Sequence, residues 1–276
     1  MKKILIPTDF SELSEYALHT AEKIATSLGA EIHALKVLPA PGDAYFDDKG
    51  NMLNCQDYDM TKFEKERMEN EAKIKEWLKD AKVKVHVVVK FGNMIDDIVE
   101  YVNVNAMDLV VMGTSGASGW KEMFVGSNAE KVVRYSPVPV LTIKCDKPDW
   151  EVEKILLVND FKEPKIENLT ALKTLQKAFE AQIHLLKIEK GKETNREVFQ
   201  QMEKFTELNQ LENVEFHVES SSKIEEGVFY FAHEHSIDLI TMGTHGRTGW
   251  DHLIKGSISE NLVNHMYKPI LTFKLN

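Results

Sequence analysis

Val110-Val111-Met112-Gly113-Thr114-Ser115-Gly116-Ala117-Ser118-Gly119-Trp120, continuing to Val125-Gly126-Ser127-Asn128, has a twin further along the chain. The twin is Ile240-Thr241-Met242-Gly243-Thr244-His245-Gly246-Arg247-Thr248-Gly249-Trp250, continuing to Lys255-Gly256-Ser257-Ile258. In both, a short apolar strand runs into glycines at spacing G-x2-G-x9-G, followed by Ser. The first two glycines leave the strand and the third opens a helix. A helix start offers unpaired N–H groups and the positive end of the helix dipole. Glycine lets backbone approach an anion closely, and the serine adds a hydroxyl donor. The pattern is neither G-x-G-x-x-G nor a Walker A loop, since no Lys follows the last glycine. Glycines that only shape turns are the alternative, but two copies between strand and helix point to a phosphate cradle. Duplication copies a motif whether or not both copies work.

The repeat extends outward. Lys3-Ile4-Leu5-Ile6-Pro7-Thr8-Asp9-Phe10 matches Lys154-Ile155-Leu156-Leu157-Val158-Asn159-Asp160-Phe161 at an offset of 151. The same offset carries Ile32-His33-Ala34-Leu35-Lys36-Val37 onto Ile183-His184-Leu185-Leu186-Lys187-Ile188. Later the offset is 130, and 13 of the 32 positions from Gly113 to Lys144 are identical in the second copy. The spacing predicts two tandem domains, residues 1–146 and 150–276, joined by the charged, Pro-containing Asp146-Lys147-Pro148-Asp149. Within the first, strands are expected at Lys3–Pro7, Glu31–Leu38, Val83–Val89, Asp108–Met112 and Val138–Ile143. Helices are expected from a Ser11 N-cap to Leu28 with Gly29 as the stop, and at Thr61–Asp80, Asn93–Asn103 and Gly126–Tyr135. The second domain repeats the strands near 153–158, 182–188, 213–218, 238–242 and 269–273. Alternating strands and helices imply two doubly wound, five-stranded parallel α/β domains, with ligands at the carboxyl ends of the strands. The extra residues at about 39–60 read as a loop at that same edge, either a lid or a surface excursion.

Of 276 residues, 43% are hydrophobic and 28% charged, which suits a soluble globular chain. No apolar run approaches the ~20 residues of a membrane span, and Asp9 interrupts the N-terminal apolar stretch too early for a signal peptide. The expected location is the cytoplasm. The net charge of −10 disfavours nucleic acid as a partner. Cys55 and Cys145 suggest neither a disulfide framework nor a zinc site.

With these residues in view, the chain resembles a tandem universal stress protein. The resemblance rests on Pro7-Thr8-Asp9-Phe10-Ser11, the paired G-x2-G-x9-G-Ser motifs, and Pro137-Val138-Pro139-Val140 entering the last strand. It covers nearly the whole chain except the loop after Leu38. It implies a Rossmann-like fold related to the adenine nucleotide α-hydrolases, and an edge-paired pseudo-dimer formed by the two last strands. Family members divide into ATP binders and members that do not bind ATP, and the complete glycine motif resembles the binders. The resemblance therefore implies ATP, with Mg as an optional companion, held as a regulatory ligand in a stress response. Carried over by position, Pro7, Thr8, Asp9 and Asp160 would lie near the nucleoside, and the backbone at Val37 and Ile188 would pair with the adenine edge. Met112 and Met242 would flank the base or ribose, or serve as core. Gly113, Gly116, Gly243 and Gly246 would track ribose and phosphates, and Gly126, Ser127, Gly256 and Ser257 would hold the terminal phosphates. The alternative role of Asp9 is an Asx-type turn or cap ahead of the following helix. The second loop has His245, Arg247 and Lys255 where the first has Ser115, Ala117 and Val125. Cations there favour the second half for the phosphate end, unless they are solvated loop charges.

Catalytic signatures are missing from the sequence. No paired carboxylates or Ser/His/Asp order stand out, so at most slow ATP hydrolysis is expected. His233 and His235 do not share a helix face, and His245 and His252 lack a third ligand at metal spacing. No protein metal site is expected, with His33 and His184 read as retained structural histidines. Three functions stand open: a nucleotide-regulated binding module with an unknown protein partner, a slow ATPase or nucleotidyl-type enzyme, and a scaffold with vestigial pockets. The resemblance also leaves a homo-oligomer open.

Overall fold

The computed structural model describes residues 1–39, 60–114, 128–145, 150–189, 194–244 and 267–274. The first half contains β1 (Lys3–Pro7), α1 (Glu12–Leu28), β2 (Glu31–Pro39), α2 (Met60–Trp77), β3 (Val85–Gly92), α3 (Met94–Val104), β4 (Leu109–Gly113), α4 (Asn128–Tyr135) and β5 (Val140–Ile143). The second contains β6 (Lys154–Val158), α5 (Thr170–Phe179), β7 (Gln182–Glu189), α6 (Asn195–Asn209), β8 (Val214–Ser220), α7 (Ile224–Glu234), β9 (Leu239–Thr244) and β10 (Ile270–Lys274).

The strands form one sheet in the order β3-β2-β1-β4-β5-β10-β9-β6-β7-β8. Within each half every pairing is parallel, and the halves meet where β5 and β10 run antiparallel. The pseudo-dimer expected from the two last strands is thus present within one chain. Both faces of the sheet are covered, which is why the strands read as unbroken apolar runs such as Ile4-Leu5-Ile6. Ile4 and Ile6 share a core with Ala17, Ala21 and Ile24 of α1 and Ile74 of α2. That core continues without a break into Ile155, Leu157, Leu172 and Val198 of the second half. Leu5, Leu35 and Val110 face the other way, onto Ile98 and Val102 of α3 and Val132 of α4. Leu156, Leu186 and Ile240 pack likewise on Val228 and Phe231 of α7.

α1 starts and stops where its sequence says it should. Ser11 accepts a hydrogen bond from the Ser14 amide, Glu12 and Glu15 lie in the first turn, and Gly29 closes the helix at φ 63. The seam has reciprocal chemistry. Leu141 faces Leu271 with both fully buried, Thr142 Oγ1 donates to Ile270 O at 3.3 Å, and Thr272 Oγ1 donates to Val140 O at 3.2 Å. Thr142→Val and Thr272→Val should each cost about 1 kcal/mol, the net worth of one buried hydrogen bond. Urea unfolding that leaves both variants at wild-type stability would show that these hydroxyls do not strengthen the seam.

The second half departs from the first at its opening helix. Glu163 corresponds to Glu12 by sequence, yet α5 begins only at Thr170, with no side-chain cap. Pro164 disfavours helical backbone at Glu163. The Asn209 side chain then ties the segment down, accepting from the Glu167 amide at 2.8 Å and donating to Lys165 O at 2.8 Å and Phe205 O at 2.9 Å.

Candidate functional site

In each half β1 and β4, or β6 and β9, are neighbours across the point where strand order reverses, so their carboxyl ends splay apart and leave a crevice. In the first half this crevice is a cleft of about 240 Å³. Pro7, Thr8 and Asp9 line it from the end of β1, Met112, Gly113 and Thr114 from the end of β4, and Asn128 and Ala129 from the start of α4. The structure thus brings together five of the site residues expected from sequence. It adds Ser11, which the opening motif and the helix cap marked without a site role, and Leu13 and Ser14 of the α1 start and Met94 of α3, which no motif marked. Larger clefts of about 770 and 730 Å³ lie at the α3–α4 surface and between Lys23 and Trp150, away from the glycine motifs.

The turn after β1 is fixed by its own side chains. Thr8 Oγ1 accepts the Phe10 amide at 3.1 Å, and Thr8 N donates to Leu35 O at 2.9 Å. Phe10 is thereby held at φ 67, a left-handed conformation uncommon for a large residue. Phe161 repeats it at φ 53, where the Asn159 side chain accepts its amide at 3.0 Å. Thr8 and Asn159 therefore do one job with different side chains. Asp9 Oδ1 accepts the Ser11 amide at 3.0 Å and the Ser14 hydroxyl at 2.8 Å. Asp9 thus makes the Asx-type turn ahead of α1, whose N-cap is Ser11. Burial works against its charge, but hydrogen bonds from Ser11 and Ser14 and the charge of Lys36 outweigh it, so its carboxyl sits below the usual range. In the second half the positions of Ser11 and Ser14 hold Lys162 and Lys165, and Asp160 Oδ1 accepts only the Lys162 amide, at 3.2 Å, among the bonds described.

Gly113 has a structural duty. A Cβ there would stand 2.5 Å from the Leu13 carbonyl oxygen, so α1 rests directly on the end of β4. Met112 and Met242 are both 4% exposed and belong to the cores, with Met112 also reaching the cleft. Thr114 Oγ1 is buried at the cleft and finds no hydrogen-bond partner among the described residues. β2 outruns β1, whose last register pair is Pro7 with Leu35. Leu35 O points toward β1, and period-two alternation turns the backbone of Val37 the same way, past the end of β1. Ile188 stands in the same relation to Leu186, which accepts the Asn159 amide at 3.2 Å beyond the end of β6. Asp160, Met242 and Gly243 occupy the matching strand ends of the second half. Gly116, Gly126, Ser127, Gly246, Arg247, Gly256 and Ser257 lie outside the described residues, as do His245, Lys255 and nearly all of the 39–60 loop.

The cleft suits part of a nucleotide. It lies at a strand-order reversal, carries a carboxylate able to accept from sugar hydroxyls, and presents an unsatisfied buried hydroxyl. The model of the "Universal stress protein family" matches residues 1–144 and 153–274. A universal stress protein of Methanocaldococcus jannaschii is 32% identical over 148 residues, 54% of this chain and 85% of its own length. Another, from Synechocystis, is 24% identical over 294 residues, covering 99% of this chain and all of its own. The crystal structure of a universal stress protein from Archaeoglobus fulgidus superposes with a TM-score of 0.74 at 22% identity, covering 99% of this chain and 98% of that one, a likeness of fold. No described helix is long and apolar enough to cross a membrane.

Proposed function

The chain belongs to the universal stress protein family, and from that premise we propose that it is a nucleotide-regulated binding module whose first half holds an adenine nucleotide, ATP in particular, in the strand-end cleft. The observation that carries this reading is the convergence of Pro7–Asp9, Met112–Thr114 and the start of α4 on one cleft at the strand-order reversal. Asp9 would accept from the ribose, the backbone at Val37 would meet the base edge, and Gly126 and Ser127 would take the phosphates at the start of α4. The cations of the second loop favour the other half, but the helix start that builds the wall of this cleft is displaced there from Glu163 to Thr170. The first half is therefore preferred. A role in a stress response, a cytoplasmic location and a protein partner chosen according to the bound nucleotide complete the reading. No described cluster beside the cleft offers the paired carboxylates of a hydrolase, so binding rather than turnover is proposed.

Calorimetric titration with Mg-ATP, with mass identification of any nucleotide extracted from the purified protein, tests it. Gly126→Val with Ser127→Glu puts a branched side chain and a negative charge where phosphate would sit. ATP affinity should fall at least about tenfold, the ~1.4 kcal/mol of one good contact. Gly256→Val with Ser257→Glu should leave the first-half site intact. A folded wild type that takes up no ATP makes the pockets vestigial. If the second pair alone abolishes binding, the nucleotide belongs to the other half.

A further inference from the structure

A second group of reactive side chains gathers at the opposite, amino-terminal end of the sheet. Glu31 opens β2, His33 stands two residues along, and His86 is the register partner of His33 on β3. Period-two alternation puts all three on one face, the one covered by α3. His33 Nε2 lies 3.5 Å from Glu31 Oε1, and His86 Nε2 lies 3.2 Å from Glu31 Oε2. One ligand atom from each of the three falls within 4.8 Å of the others.

His33 is the anchor. Its side chain is 9% exposed, and its Nδ1 is 2.7 Å from the hydroxyl of Tyr101 on α3. Its Nε2 is buried and makes no hydrogen bond among the described residues. In the tautomer that donates from Nδ1 to Tyr101, the Nε2 lone pair points at a carboxylate and a second imidazole. A metal-ligating histidine is held in this way, with its outer nitrogen fixed by a neighbour. We propose that Glu31, His33 and His86 bind a divalent transition-metal ion of the zinc class, through one carboxylate oxygen and two Nε2 atoms, with a fourth position open to solvent. Tetrahedral bonds of about 2.0–2.2 Å space neighbouring ligand atoms about 3.4 Å apart, so the three ligand atoms, already within 4.8 Å of one another, need only a small closing movement. Two imidazoles and a carboxylate suit such an ion. Lys84 Nζ, 2.9 Å from Glu31 Oε2, is 68% exposed and free to swing into water when an ion arrives, while the partly exposed His86 marks the entry side.

The second half gathers a different trio, His184, Glu215 and His217, with one ligand atom of each within 4.8 Å of the others. His184 corresponds to His33, but Gln182 replaces Glu31 and Phe231 stands where Tyr101 does. His184 Nδ1 is instead bonded to His217 Nε2 at 2.9 Å, so these imidazoles satisfy each other at that side. The proposal is confined to the first half.

Untagged full-length protein, free of nucleotide, should be titrated with cobalt(II), read by visible absorption, and then with zinc in competition. Zinc retained after dialysis is measured by elemental analysis. The expected result is one equivalent lost in His86→Ala and in Glu31→Gln, and kept in His217→Ala. Tyr101→Phe should weaken binding at least roughly tenfold while leaving the equivalent in place, the mark of a positioning residue. Circular dichroism confirms that each variant is folded. A wild type that retains no zinc, or His86→Ala and Glu31→Gln variants that retain the full equivalent, overturns the site.

Discussion

Gly113→Ala should cost roughly 3 kcal/mol of stability, the upper end of the range for overpacking a filled site. The cause is geometric. The added Cβ would stand 2.5 Å from Leu13 O and 2.6 Å from both Leu13 C and Leu13 Cβ. None of these is the far end of a flexible side chain, so α1 itself must back away from β4. The first turn of α1 carries Ser11 and Ser14, which hold Asp9 at the cleft. The same substitution should therefore also weaken Mg-ATP binding, although Gly113 need not touch the nucleotide. Gly29→Ala is the control. Gly29 has φ +63 with nothing within 4 Å of the added atom, so only the left-handed backbone is penalised, by about 1 kcal/mol. Urea unfolding of both variants decides the matter. A Gly113→Ala protein no less stable than Gly29→Ala would mean that α1 does not rest on β4 as described, and the glycine would return to being purely a ligand-tracking residue.

Gly113 also marks where sequence reading succeeds and where it stops. Its place after an apolar strand and before a second glycine identified the crevice, but the contact with Leu13 depends on how α1 lies across the sheet. The caps of α1 were legible because Ser11, Glu12, Glu15 and Gly29 act locally. β3 was not. Sequence placed it at Val83–Val89, ending before Lys90, whereas it runs Val85–Gly92. Lys90 is buried because α3 brings Asp97 to 3.2 Å and Glu100 to 2.6 Å from its ammonium, a pairing that no local pattern contains. The truncated α5 escaped for a related reason. Pro164 is visible in the sequence, but the pull of Asn209 on the segment before Thr170 comes from another helix. The histidines show the same limit most sharply. Spacing along the chain directed attention to His233 with His235 and His245 with His252. The sheet instead pairs His33 with His86 across two strands far apart in sequence. A period-two face argument applied to both strands together could have found Glu31, His33 and His86, but only once their register was known.

The histidines of the second half carry the other large expected effect, an acid-dependent loss of stability. Burial, reinforced by the charges of His184 and His235 and only partly offset by Glu215, pushes the His217 imidazole down to about 4. His217 faces Phe231 of α7 and His235 at its C-cap, as well as His184 of β7. Burial lowers His184 too, against the pull of Glu215 and with the charges of Lys154 and His235 acting in the same sense. The unfolded chain takes up its proton near the ordinary value of about 6.5 while the folded chain stays neutral until about 4. Within that window the unfolded state binds more protons, so stability falls as pH falls and levels off below about 4. At about 1.4 kcal/mol per pH unit, His217 alone accounts for roughly 3 kcal/mol across the window. The Nδ1–Nε2 bond to His184 survives the first proton and is lost only when both rings are charged, since two cations cannot share it. His217→Gln removes the titration and keeps a polar group beside His184. Unfolding free energies should be measured from pH 7.5 to pH 4 with a chelator present, which separates this effect from any metal at Glu31, His33 and His86. The wild type should lose roughly 3 kcal/mol more than His217→Gln over that range. Equal slopes for the two proteins would mean that His217 titrates alike folded and unfolded, and the neutral buried pair would have to be abandoned.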